Sequence, residues 1–105
     1  MVRYTLLIRY TEIGISQIQN TVARAAVFRQ AAAAMGVTVD ALLWTLGEFD
    51  GVINLSAENE TNVVALVTEL ARRGYVRTHL LRAYTEDEFA AVLKRMPSAP
   101  VDLDE

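Results

Sequence analysis

The chain has 105 residues, enough for one domain with a single core and too few to leave an apolar sheet face open to water without a penalty. Hydrophobic residues make up 52% of it and charged residues 22%, which excludes a disordered polymer, and no apolar run approaches the roughly 20 residues that cross a bilayer. A formal charge of -3 offers nucleic acid no bulk attraction, and the lack of cysteine leaves no disulfide framework or thiolate metal cluster, so a cytoplasmic protein with no nucleic-acid or membrane partner is expected.

Residues 2–10 read as a strand, with Tyr4, Leu6, Ile8 and Tyr10 on one side and Arg3, Thr5, Leu7 and Arg9 on the other. The apolar part is too short for a signal peptide and lacks a small-residue cleavage site. After the turn-like Thr11-Glu12-Ile13-Gly14, apolar residues recur at Ile15, Ile18, Val22, Ala25, Phe28, Ala32 and Met35, the spacing of one helical stripe. Thr21 is placed to restart that helix as an N-cap, and Gly36 to end it.

Residues 37–46 and 49–57 form two further strands, and Gly47-Glu48 between them suits a two-residue hairpin loop. Asn59-Glu60-Thr61-Asn62 opens a second helix, with Val63, Leu66, Val67 and Leu70 inward and Gly74 past its end. Residues 75–84 are the fourth strand. Thr85 and Glu88 then form a capping box, flanked by Tyr84 and Phe89 as a hydrophobic staple, for a helix running to about Met96. Residues 1–96 are thus one domain, and residues 97–105, with two prolines and an acidic end, a flexible tail.

The order predicts an α+β fold, a ferredoxin-like βαββαβ sandwich with an additional C-terminal helix, its two long helices on one face of a four-stranded antiparallel sheet. The other face is expected to carry Thr5, Leu7 and Arg9; Leu42 and Trp44; Asp50, Val52 and Asn54; and Arg77, His79 and Leu81. For Leu42 and Trp44 the parity depends on the hairpin: a strict two-residue loop sets Trp44 opposite Gly51, and one bulge reverses the side. A face of this mixed character is too apolar for solvent, so a second copy of the chain is expected against it.

The segment Gly47-Glu48-Phe49-Asp50, with the later Val76-Arg77-Thr78 and Ala83-Tyr84-Thr85-Glu86-Asp87-Glu88-Phe89, resembles the GYD domain family, and nearly the whole chain can be laid on that pattern. The resemblance implies a dimeric α/β barrel and carries no established activity. Phe49 stands where tyrosine is usual, so any role of that phenol is absent. A more distant likeness reaches the effector-binding domain of the leucine-responsive regulators, without the helix-turn-helix that precedes it there. Such folds host unrelated functions, so the likeness informs architecture more than chemistry.

Candidate ligand-binding residues are Asp50, Asn54, Arg77, His79, Trp44 and Arg9. A carboxylate just inside a central strand is disfavoured there and needs a partner, either a turn N–H, an arginine or a ligand. His79 is the sole histidine and shares a face with Arg77, a pairing suited to proton transfer or anion contact and equally to a hydrogen-bonded interface. Trp44 suits stacking on a planar ligand or packing. No catalytic residue, cofactor or metal-ligand spacing is assigned, and phosphate loops and nucleophile elbows are absent. These features favour a homo-oligomeric small-molecule-binding protein with a pocket on the sheet face near the subunit interface. The alternatives are a cofactor-independent oxygenase or isomerase using His79 or Asp50, and a purely structural assembly subunit.

Overall fold

The structure is a computed structural model that describes residues 1–99 and 102, so the expected tail falls outside the described residues at 100, 101 and 103–105. Its elements run β1 (Val2–Tyr10), α1 (Glu12–Ser16), a 3-10 turn (Ile18–Asn20), α2 (Thr21–Ala34), β2 (Val37–Trp44), β3 (Gly51–Ala57), α3 (Glu60–Arg72), β4 (Val76–Ala83) and α4 (Glu86–Lys94). All neighbouring strands are antiparallel in the order β2-β3-β1-β4, which is the ferredoxin-like α+β arrangement with an extra C-terminal helix. Right-handed crossovers through α2 and α3 explain why both lie on the same face.

The core forms where Tyr4 and Leu6 of β1 and Ile53 and Leu55 of β3 meet Phe28 and Ala32 of α2 and Val63, Leu66 and Val67 of α3. Cross-strand rows on this side are Leu42, Ile53, Leu6 and Leu80, then Trp44, Gly51, Ile8 and Thr78. Leu42 and Trp44 therefore face the helices, which corrects the expected open-face placement. The reason is local. A bulge does occur in β2, but between Val39 and Ala41, far from the hairpin, so Val37 and Val39 point inward before it and Leu42 and Trp44 after it. At the hairpin the strands stay in step, with Thr45 N–H donating to Asp50 O at 3.0 Å and Thr45 Oγ1 to Phe49 O at 2.6 Å. The connection is longer than Gly47-Glu48 alone, and Gly47 with φ +116° supplies a turn position that side chains disfavour.

The single helical stripe expected after β1 is also corrected. Ile15, Ile18 and Val22 are exposed, because the helix is divided into α1, the 3-10 turn and α2. Thr11 caps α1 by accepting from Gly14 N–H, and also anchors it: Thr11 N–H donates to Tyr75 O at 3.1 Å and Thr11 Oγ1 to Gly74 O at 2.6 Å. This docking sets the phase of α1 on the sheet end, and α2 then starts afresh. Gly36 does end α2, at φ +72°.

At α4 the capping box of Thr85 and Glu88 is present in both directions, and Tyr84 packs edge-on to Phe89 with ring centroids 6.2 Å apart. Its last helical residue is Lys94 rather than Met96. No α4 residue is buried, and Phe89, Val92 and Leu93 are exposed along it.

Candidate functional site

Above the sheet, α2 and α3 leave a cleft of about 300 Å³ between them. Ala25 and Phe28 of α2 form one wall, Leu66 and Leu70 of α3 the other, and Ile8, Leu42 and Ile53 the floor. The floor stays low towards Trp44 because its cross-strand neighbour is Gly51, where an added Cβ would stand 3.3 Å from Leu43 O. An apolar concavity with a few polar groups at one end is the general form of a small-molecule site.

The polar end is built by β1, α2 and the hairpin. Trp44 Nε1–H donates to Thr21 Oγ1 at 3.1 Å, and the Tyr10 and Thr21 hydroxyls lie 2.7 Å apart. Thr21 is thus not the N-cap expected of it. Asn20 holds that position without a side-chain bond, leaving the threonine hydroxyl free to serve the cleft. Asp50 lies one residue before β3: its N–H donates to Ile8 O at 2.8 Å, and its Oδ2 accepts Tyr10 N–H at 2.8 Å. The carboxylate continues the β1–β3 ladder in place of a main-chain carbonyl. This is the structural role weighed for Asp50, with Tyr10 rather than the turn or an arginine as donor. Oδ1 has no hydrogen-bond partner among the described residues.

Two cations border the cleft. The Arg24 guanidinium lies 3.6 Å from the centroid of the Tyr75 ring, joining α2 to the start of β4. Arg73 stands 3.9 Å from Glu69, whose carboxylate is gripped by Arg72 through two 2.6 Å hydrogen bonds that hold it below the usual glutamate range.

The bare face has a different chemistry. Leu43, Val52, Leu7 and His79 form one cross-strand row, and Ala41, Asn54, Thr5 and Leu81 the next. Thr5 Oγ1 donates to Asn54 Oδ1 at 3.1 Å. Phe49 meets His79 edge-on at 5.4 Å and carries Arg9 4.8 Å from its ring centroid, while Arg9 pairs with Glu48 at 2.8 Å. Arg9 and Arg77 are direct cross-strand neighbours, and among the described residues the Arg77 guanidinium has no ion pair or hydrogen bond. Like charges so placed repel.

The model of one family, the GYD domain, matches residues 4–93. The chain belongs to the GYD domain family. No protein of curated function and no solved structure matches it. The match runs from Tyr4 in β1 to Leu93 in α4, and so includes both faces of the sheet.

Within this GYD domain the six candidate residues separate into two groups. Trp44 and Asp50 line the cleft, whereas Arg9, Asn54, Arg77 and His79 belong to the bare face. Phe49, at the position usually held by tyrosine, packs on His79 with no hydroxyl to offer. Sequence reasoning passed over Tyr10 and Thr21 as polar groups of the site. Tyr10 reads as an inward strand residue and Thr21 as a cap, and only the break between α1 and α2 brings their hydroxyls together. No group of three or more His, Cys, Asp or Glu side chains able to hold a metal occurs among the described residues. Nor is any described helix long and apolar enough to cross a membrane.

Proposed function

We propose that this GYD domain is a homo-oligomeric small-molecule-binding protein whose ligand occupies the cleft between α2 and α3, while the bare sheet face joins a second copy. The observation that carries the reading is the 300 Å³ cleft, lined mainly by apolar side chains, with Tyr10, Thr21, Trp44 and Asp50 as polar groups and Arg24, Glu69 and Arg73 bordering it. A pocket on the bare face was the expectation from sequence; the inward turn of Trp44 supports a site in the cleft on the other side of the sheet instead. Self-association is supported by that face itself, where Leu43 and Leu81 are 58% and 49% exposed beside the half-buried Leu7 and Val52. The lack of cysteine suits a reducing cytoplasm. An enzymatic reading calls for His79 and a second polar group to converge on one cavity, and His79 lies across the sheet from this cleft.

A panel of metabolites screened by thermal shift tests the binding reading. A specific ligand at about 100 times its Kd stabilises the fold by about 2.7 kcal/mol. Ala25→Phe, which fills the cleft from α2, should abolish the shift while leaving the unliganded fold intact. A purely structural subunit would show no ligand-dependent shift at all.

A further inference from the structure

From the polar end of the cleft we infer the class of ligand: a neutral, hydroxyl-bearing, planar apolar molecule of about two fused rings, its hydroxyl donating to Asp50 Oδ1 and accepting from the Tyr10–Thr21 pair. The inference rests on the cleft being the binding site.

Size comes first. An apolar cavity of about 150 Å³ accepts a single benzene ring. The 300 Å³ here therefore suits roughly two rings, lying between Ala25 and Leu70 above Ile8 and Leu42, the half-buried apolar residues of the lining.

Hydrogen counting supplies the polar specificity. Trp44 N–H, Thr21 O–H and Tyr10 O–H bring three donor hydrogens to two contacts, Trp44 to Thr21 and Thr21 to Tyr10. Whichever hydroxyl donates in the second contact, one hydroxyl hydrogen is left over. Asp50, which lines the same cleft, offers the reverse, a carboxylate oxygen without a donor, because Oδ2 is taken by Tyr10 N–H and Oδ1 is not. A spare donor and a spare acceptor lining one cleft match a hydroxyl group, which both gives and receives.

Charge narrows the choice. The Asp50 carboxylate disfavours an anionic head group at this end. A cationic amine meets Arg24 and Arg73 at the rim, and the second carboxylate there, Glu69, is already held by Arg72. A neutral hydroxyl meets neither objection.

The single tryptophan makes the test site-specific, since its indole N–H is one of the bonded donors and gives one resolved NMR signal. The probes are 2-naphthol, 2-methoxynaphthalene, naphthalene and 2-naphthoate, titrated into the full chain. The expected result is that 2-naphthol shifts the Trp44 indole signal and binds on the order of tenfold or more tighter than 2-methoxynaphthalene, which keeps the acceptor and loses the donor to a charged oxygen. Asp50→Asn retains an acceptor for Tyr10 N–H and turns the other atom into a donor. It should erase the naphthol preference and improve binding of the methyl ether. Thr21→Val should weaken naphthol binding and Thr21→Ser should restore it, with folding of each variant checked by its amide spectrum. Equal binding of 2-naphthol, its ether and naphthalene would overturn the hydroxyl inference and leave the cleft as an apolar site. Tighter binding of 2-naphthoate would overturn it in favour of an anion. Failure of all four probes to move the indole signal would overturn the cleft itself.

Discussion

Gly14→Ala sets two physical expectations against each other. Gly14 lies inside α1 and its φ is not positive, so helix propensity alone predicts that alanine stabilises the protein by about 0.5–1 kcal/mol. The packing predicts the opposite. A Cβ at this position would sit 1.9 Å from Tyr75 O and 3.2 Å from Tyr10 Cδ1. A carbon and a carbonyl oxygen need about 3.3 Å, so α1 and Tyr75 must separate by roughly 1.4 Å. That movement breaks the two bonds that dock α1, Thr11 N–H to Tyr75 O and Thr11 Oγ1 to Gly74 O. Each is worth about 1 kcal/mol net, and the overpacking itself about 1–3 kcal/mol, so after the propensity gain the expected loss is about 2–4 kcal/mol. Urea denaturation with an unchanged m-value should show it, along with a fall in Tm on the order of 10–25 °C. Gly36→Ala is the comparison: its surroundings are open and the strain comes only from φ +72°, for about 1–2 kcal/mol. A neutral or stabilising Gly14→Ala would refute the close docking of α1 on Tyr75.

Asp50→Ala removes the acceptor of Tyr10 N–H at the end of β1, and a loss of about 1–2 kcal/mol in denaturant unfolding is expected, with a smaller loss for Asp50→Asn. For Glu88, the bond from Thr85 N–H lowers its pKa, so charge on this carboxyl favours the folded α4. That contribution is present above the unfolded glutamate value of about 4.3 and is lost as pH falls through the lower folded value. The Thr85 amide signal should report fraying of α4 over that acidic interval, and Glu88→Gln should flatten the dependence. On the bare face, Leu43→Glu together with Leu81→Glu should convert the protein to a monomer in analytical ultracentrifugation without lowering its helical circular dichroism. An unchanged assembly state would show that copies associate elsewhere.

Alternation and capping signals made much of this fold legible. Tyr4, Leu6, Ile53 and Leu55 point inward as period two requires, and Thr85 with Glu88 caps α4 as the motif predicts. What escaped were events that depend on contacts distant in sequence. The bulge in β2 displaces one residue at Asp40 and reverses the side of Leu42 and Trp44, yet a strand with apolar residues on both parities, Val37, Val39 and Leu43 on one and Leu42 and Trp44 on the other, offers no sign of where the slip falls. The break between α1 and α2 follows from Thr11 and Gly14 docking on residues 74 and 75, which no local periodicity records. The cleft escaped for the same reason, since Tyr10, Thr21, Trp44 and Asp50 come from three separate segments, β1, α2 and the hairpin.

Adjacent residues at the hairpin answer to opposite sides of the sheet: the ring of Phe49 rests on His79, and the carboxylate of Asp50 holds the backbone of Tyr10. One peptide unit is thus the shortest mechanical path through the molecule's central partition. A ligand that meets the carboxyl group above and a second copy that packs on the ring below would therefore act on neighbouring residues of one loop.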